Sequence, residues 1–118
     1  MKITKFTDLI AWQKGHELVL DIYRLVKKFP KHEQFALSNQ MTRCAVSITS
    51  NLAEGFSRQT NKEKIQFYFT AKGSLTELQN QLLIARDVDY LSSQKFKKLA
   101  EATVEVHKLI NGLIKAIK

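Results

Sequence analysis

Gln40, Arg43, Ser47, Ser50 and Glu54 recur at steps of three and four residues, and Thr70, Ser74, Glu77 and Gln81 do so again further along the chain. Such steps place side chains on one face of a helix, so each set reads as a polar stripe. On antiparallel helices joined near residue 60, Arg43 stands opposite Glu77, Ser47 opposite Gly73 and Gln40 opposite Gln81. A guanidinium meets a carboxylate through two parallel hydrogen bonds. The expectation is an Arg43–Glu77 ion pair, with Gly73 removing a side chain where Ser47 approaches. Two chemistries fit this pattern. Gln40, Arg43, Ser47, Asn51, Glu54, Ser74, Glu77 and Gln81 can form a structural polar network that fixes helix register. Alternatively, Arg43 is a phosphate ligand that Glu77 holds in place.

The other reactive groups point away from catalysis. Cys44 is the one cysteine, so no intrachain disulfide is open to it, and on the apolar face of its helix it reads as a small filler. His16 and His107 come near each other if the first and last helices pair, but they lack further ligands for a metal. The sequence has no HExxH, Ser-His-Asp order, pair of Glu-x-x-His motifs or CxxC. Glu54 and Glu77 fall on different helices at different heights, which does not suit paired acid/base chemistry. No catalytic, cofactor-binding or metal-binding residues are expected, and an enzyme is not.

Charge is the stronger signal. The formal net charge is +8, and residues 1–30 and residues 89–118 each hold six Lys/Arg against three Asp/Glu. The nucleic-acid-binding candidates are Lys14, Arg24, Lys27, Lys28, Arg58, Lys95, Lys97, Lys98, Lys108 and Lys115, with Lys118 beyond them. Lysines contacting phosphates give affinity with little sequence readout, and no RNP, KH or helix-turn-helix pattern adds base-specific reading. The competing reading is a solubilising surface on a protein-interaction scaffold. Asn51 and Glu54 can cap backbone groups where Arg58 meets a phosphate or an adjacent subunit. Trp12 packs over the end of the fold, fills a subunit interface or stacks on a base.

Helices must position these groups. With four glycines and one proline the chain is too poor in turn residues for a β-sandwich, and 118 residues make one core. Apolar periodicity predicts helices over about 8–28, 38–57, 62–88 and 93–117 in a single domain spanning 1–118. The core stripes are Leu18, Ile22, Leu25, Val26 and Phe29; Met41, Ala45, Ile48 and Leu52; Tyr68, Ala71, Leu75, Leu78, Leu82 and Ala85; and Phe96, Leu99, Thr103, Val106, Ile110, Leu113 and Ile117. Ser38 is expected to cap the second helix, Thr60 with Glu63 the third and Ser92 or Ser93 the fourth. Gly55 is expected to end the second helix in a left-handed turn. Short connections force antiparallel neighbours, hence an all-α, up-down-up-down four-helix bundle. No membrane-length apolar run and no signal-peptide pattern is seen, and a cytoplasmic location is expected.

Against this background the sequence resembles the 23S rRNA intervening-sequence family of four-helix-bundle proteins, also described as ribosomal S23-like. The likeness starts at Leu9-Ile10-Ala11-Trp12-Gln13-Lys14 and includes Tyr23, Phe29-Pro30, Glu33 and Leu37. It is densest over residues 40–58, from Gln40-Met41-Thr42-Arg43 to Asn51-Leu52-Ala53-Glu54-Gly55-Phe56-Ser57-Arg58. It returns in Ala71-Lys72-Gly73-Ser74-Leu75-Thr76-Glu77-Leu78 and at Gln81. Cys44 stands where the family often has arginine or alanine, and Thr49 where it often has proline. The resemblance implies a basic homo-oligomer, with a ring-like pentamer favoured, that contacts RNA (rRNA) or another nucleic acid. It also implies the alternative of an accessory subunit beside a reverse transcriptase.

Overall fold

The computed structural model describes residues 2–118, and those residues form four α-helices and two short 3₁₀ turns. Helix α1 is Ile10–Val26, α2 Leu37–Ser57, α3 Asn61–Asp87 and α4 Ser93–Ile117; the turns are Phe6–Asp8 and Lys31–Glu33. The chain goes round the bundle in order: α1 packs on α2, α2 on α3, α3 on α4, and α4 back on α1. The longest dimension, 43 Å, is set by α3, since 27 residues at 1.5 Å each span about 40 Å.

Local chemistry sets most helix ends. The Thr60 hydroxyl accepts from the Glu63 N–H at 3.2 Å and donates to the Glu63 carboxylate at 2.9 Å. Ser92 accepts from the Lys95 N–H at 3.1 Å. Ser38 does not cap α2. The first helical N–H group, that of Leu37, donates to Glu33 Oε1 at 3.3 Å, so an acid in the preceding 3₁₀ turn takes the role. Helix α3 ends in a left-handed residue, Asp89 at φ 65°. The Tyr90 N–H reaches back to the Ala85 carbonyl at 2.8 Å and the Asp89 N–H to the Arg86 carbonyl at 3.0 Å, which is the Schellman arrangement with aspartate in the usual glycine position.

Gly55 departs from the sequence expectation. No glycine has positive φ, and α2 runs through Gly55 to Ser57. A Cβ at Gly55 would lie 2.8 Å from Tyr68 Cε1 and 2.9 Å from Phe67 Cβ. Its function is close approach of α2 to α3. Gly73, expected to permit such an approach, faces open space with nothing within 4 Å of a Cβ. Gly15 gives a second close approach, with a Cβ 3.1 Å from Thr49 Cγ2 on α2.

The core contains every expected stripe residue of α2 and α3, together with Leu18, Ile22, Leu25 and Phe29 from the first segment and Leu99, Thr103, Val106 and Ile110 from α4. Near the end of α4 the buried position is Ile114, whereas Leu113 and Ile117 are half-buried. An α-helix turns every 3.6 residues, so a stripe counted at 3.5 drifts around the helix by about 20° per heptad.

At the end of the bundle where α1 gives way to α2 and α3 to α4, the two connections meet. Tyr90 packs on Phe29 with ring centroids 5.1 Å apart and donates its hydroxyl to Glu33 Oε2 at 2.7 Å. That hydrogen bond is the main cause holding the Glu33 carboxyl below its usual pKa, and the same bond, with some desolvation and the nearby charge, pushes the Tyr90 phenol up. The carboxylate's contribution is present above the ordinary carboxylate range and disappears as pH falls through the lowered value. The phenol's contribution is present below the ordinary tyrosine range and disappears as pH rises through the raised value. Tyr90→Phe therefore lowers Tm at pH 7, and the gap from the parent closes in acid and again in strong base. Thermal melts across pH check this; a gap independent of pH would show that Glu33 is not the partner that matters.

Candidate functional site

The proposed polar partners on α2 and α3 meet along one seam, in a different arrangement from the one the spacing predicts. Ser47 Oγ lies 2.8 Å from Ser74 Oγ, not opposite Gly73. Asn51 Nδ2 donates to the Ser47 carbonyl at 2.7 Å and to Ser47 Oγ at 3.1 Å. The Arg43–Glu77 ion pair is not formed: among the described residues no carboxylate lies within 4.0 Å of the Arg43 guanidinium, and no Lys, Arg or His nitrogen lies that close to Glu77. Both side chains are exposed and line an open groove of about 380 Å³ together with Phe35, Asn39, Gln40, Cys44, Ser47, Ser74 and Gln81. An exposed ion pair gains only about 0–1 kcal/mol against the cost of ordering two side chains, so water outcompetes the contact. Glu54 sits lower on α2 and faces Arg58 at 3.6 Å.

Cys44 closes the floor of this groove. Its thiol donates to the Ser74 carbonyl at 2.9 Å and lies 3.6 Å from Glu77 Oε2. Burial, reinforced by the Glu77 charge and hydrogen bond, pushes the thiol pKa up to about 12. The thiolate is the nucleophile, so Cys44 is inert at neutral pH. Native protein treated with iodoacetamide at pH 8 is expected to remain unmodified on intact-mass analysis and to alkylate on unfolding; rapid native alkylation would contradict this environment.

Gln81 is the exception among these groups. It is 95% buried, at 5% relative exposure, yet its Oε1 has no hydrogen-bond partner among the described residues. A buried acceptor without a donor costs about 1–3 kcal/mol.

The basic candidates divide by environment. Lys14 is half-buried and lies 3.5 Å from Glu17; Arg24 bonds Asp21 at 3.1 Å. Arg58 lies over the Phe67 ring, 4.7 Å from its centroid, in addition to its Glu54 contact. These three are partly neutralised. Lys27, Lys28, Lys95, Lys97, Lys98, Lys108 and Lys115 are exposed, and among the described residues no carboxylate lies within 4.0 Å of any of them. Lys27 and Lys28 follow the end of α1, and Lys95, Lys97 and Lys98 open α4. These two helix ends meet at one end of an antiparallel bundle. Lys31, exposed in the connecting turn, joins them; the sequence reading missed it because it belongs to no helical stripe. Of the acids there, Glu33 is held by Tyr90 and Asp87 by Arg86 at 2.8 Å, leaving Asp89 and, one turn along α4 from Lys97 and Lys98, Glu101. Lys108 and Lys115 extend the charge along α4.

The ends of α1 and α2 account for the remaining residues. Trp12 is half-buried, packs edge-on to Phe6 at 5.4 Å and stacks on His16 at 4.7 Å. His16 is thus engaged with Trp12, and among the described residues no three His, Cys, Asp or Glu side chains converge on a metal-sized site. The Lys64 ammonium donates to the Phe56 carbonyl at 2.6 Å, satisfying the C-terminus of α2. No described helix is long and apolar enough to cross a membrane.

Comparison with known proteins matches this arrangement to a family. The model of the 23S rRNA-intervening sequence protein matches residues 7–112. A crystal structure from Bacteroides thetaiotaomicron, of a protein with unknown function from the S23 ribosomal protein family, superposes with a TM-score of 0.83. It is 22% identical, and the match covers 90% of this chain and 96% of that one. None of the curated proteins matches.

Proposed function

The chain belongs to the 23S rRNA-intervening sequence protein family, and on that premise we propose that it is a non-enzymatic, homo-oligomeric bundle that binds RNA or another nucleic acid through lysine. The observation that carries this reading is the end of the bundle where Lys27, Lys28, Lys31, Lys95, Lys97 and Lys98 are exposed and unpaired. Lys95 lies in the first turn of α4, which holds no acid. A cation at the positive end of a helix dipole costs about 0.3–1 kcal/mol, so stability alone does not select lysine there. Six phosphate contacts give log K against log salt a slope of about −5 on duplex DNA and about −4 on single strands. Titration of salt against a 23S rRNA fragment and an unrelated duplex DNA tests this. Slopes of that size, with little preference between sequences, support phosphate contacts; no binding to either nucleic acid at low salt overturns the reading.

Assembly belongs to the same proposal. Leu83 and Ile84 on α3, Val88 just past its end and Val104 on α4 expose 41–48% of their surface, apolar area that a second copy would cover; a pentamer is the expected state. Light scattering at micromolar concentration tests it, and a monomer counts against assembly. This apolar area also favours the second reading, a scaffold that binds protein and no nucleic acid; the salt titration separates the two.

A further inference from the structure

The groove between α2 and α3 holds opposite charges that do not neutralise each other. Arg43 projects from α2 and Glu77 from α3, and both line the groove without an ionic partner of their own within 4.0 Å. Gln81 follows Glu77 by four residues on α3, so the two share one face. Its buried Oε1 lacks a donor among the described residues, and Gln81 is one of the residues that line the groove. A ligand with a hydrogen-bond-donating cation can serve both Glu77 and Gln81, and its anionic end can meet the Arg43 fork. Ser47 and Ser74 also line the groove, one helical turn from Arg43 and Glu77, and their hydroxyls bond each other at 2.8 Å. Phe35, 86% exposed, stands at the lip.

We propose that this groove is a binding site for a small zwitterion, an α-amino acid or a molecule carrying the same carboxylate and ammonium. The carboxylate pairs with Arg43, the ammonium donates to Glu77 and Gln81 Oε1, and an apolar side chain lies under the Phe35 ring. A ligand bearing both charges is favoured because either charge alone leaves one groove residue unanswered. The groove is lined by α2, α3 and Phe35 and by none of the lysines of α1 and α4, so its failure leaves the nucleic-acid reading untouched.

The test uses isotope-labelled full chain titrated by NMR with L-leucine to about 10 mM, enough to detect a Kd of about 1 mM, which corresponds to roughly −4 kcal/mol. Leucinamide, without the carboxylate, and N-acetyl-L-leucine, without the ammonium, serve as probes of each end. The expected result is saturable shifts centred on residues 43, 77 and 81, with Kd at least tenfold weaker for either derivative. Arg43→Gln should no longer distinguish leucine from leucinamide, and Glu77→Gln should no longer distinguish leucine from N-acetyl-leucine. Gln81→Leu should raise the Tm of the free protein and weaken leucine binding at least tenfold. No shifts in the groove, equal binding of all three compounds, or a Gln81→Leu variant that melts lower and binds leucine normally would each overturn the proposal. The comparison of the three compounds on the parent protein stands whether or not any variant folds.

Discussion

Replacing Lys95, Lys97 and Lys98 together by glutamine lowers affinity for a 23S rRNA fragment about 10²–10³-fold at 0.1 M salt and leaves helix content unchanged. The magnitude follows from counterion release. Each phosphate contact contributes about 0.7–0.9 to the salt slope, so its loss costs close to tenfold at 0.1 M relative to 1 M salt. Three contacts therefore give about two to three orders of magnitude, and the slope itself becomes less steep by about 2–3. The fold should not suffer. All three side chains are exposed and without carboxylate partners, and removing Lys95 relieves an unfavourable charge at the start of α4. The Tm is expected to stay level or rise. Filter binding across salt, with circular dichroism as the control for folding, reads both quantities. Unchanged affinity and slope would mean that these lysines do not touch phosphate.

Replacing Gly55 by alanine destabilises the bundle by about 1–2 kcal/mol, whereas the same change at Gly73 stabilises it by about 0.5–1 kcal/mol. The difference lies wholly in what the new methyl group meets. At Gly55 it falls 2.8 Å from the buried Tyr68 ring and 2.9 Å from Phe67 Cβ. Phe67 Cβ is fixed to the α3 backbone, so the helices themselves must separate. Overpacking of this kind costs about 1–3 kcal/mol, and the gain of up to about 1 kcal/mol in helix propensity offsets only part of it. At Gly73 there is nothing within 4 Å, and only the propensity gain remains. Urea unfolding of the two variants beside the parent measures both. If both substitutions move stability in one direction, the close approach at Gly55 is not what fixes the α2–α3 distance.

The four helices were legible because burial imposes a period. The stripes on α2 and α3 contain no charged residue, and all their members are in the core. The caps formed by Thr60 and Ser92 were legible for a similar reason, since a hydroxyl and the N–H it accepts are neighbours in sequence. Glu33 was not, because nothing local distinguishes it from Ser38 as the cap of α2; Tyr90, distant in sequence, holds its carboxylate in place. Gly55 misled because glycine serves equally as a left-handed terminus and as a gap for a neighbouring helix, and only the position of α3 chooses between them.

For the polar seam, spacing put Arg43, Ser47, Ser74, Glu77 and Gln81 on facing helices, and the groove brings them together. It could not say whether opposite charges would touch, since that depends on separations of a few ångströms and on competition from water. The sequence by itself determined helix number, helix order, most of the core and the excess of lysine near both ends, because these follow from side-chain polarity and local hydrogen bonding. The tertiary structure decided which lysines stand free of acids, which glycine admits a neighbour, and that Arg43 and Glu77 face an open groove with the buried Gln81 carbonyl unanswered. Those outcomes rest on distances between helices, which are set jointly by every side chain in the core and by no single stretch of chain.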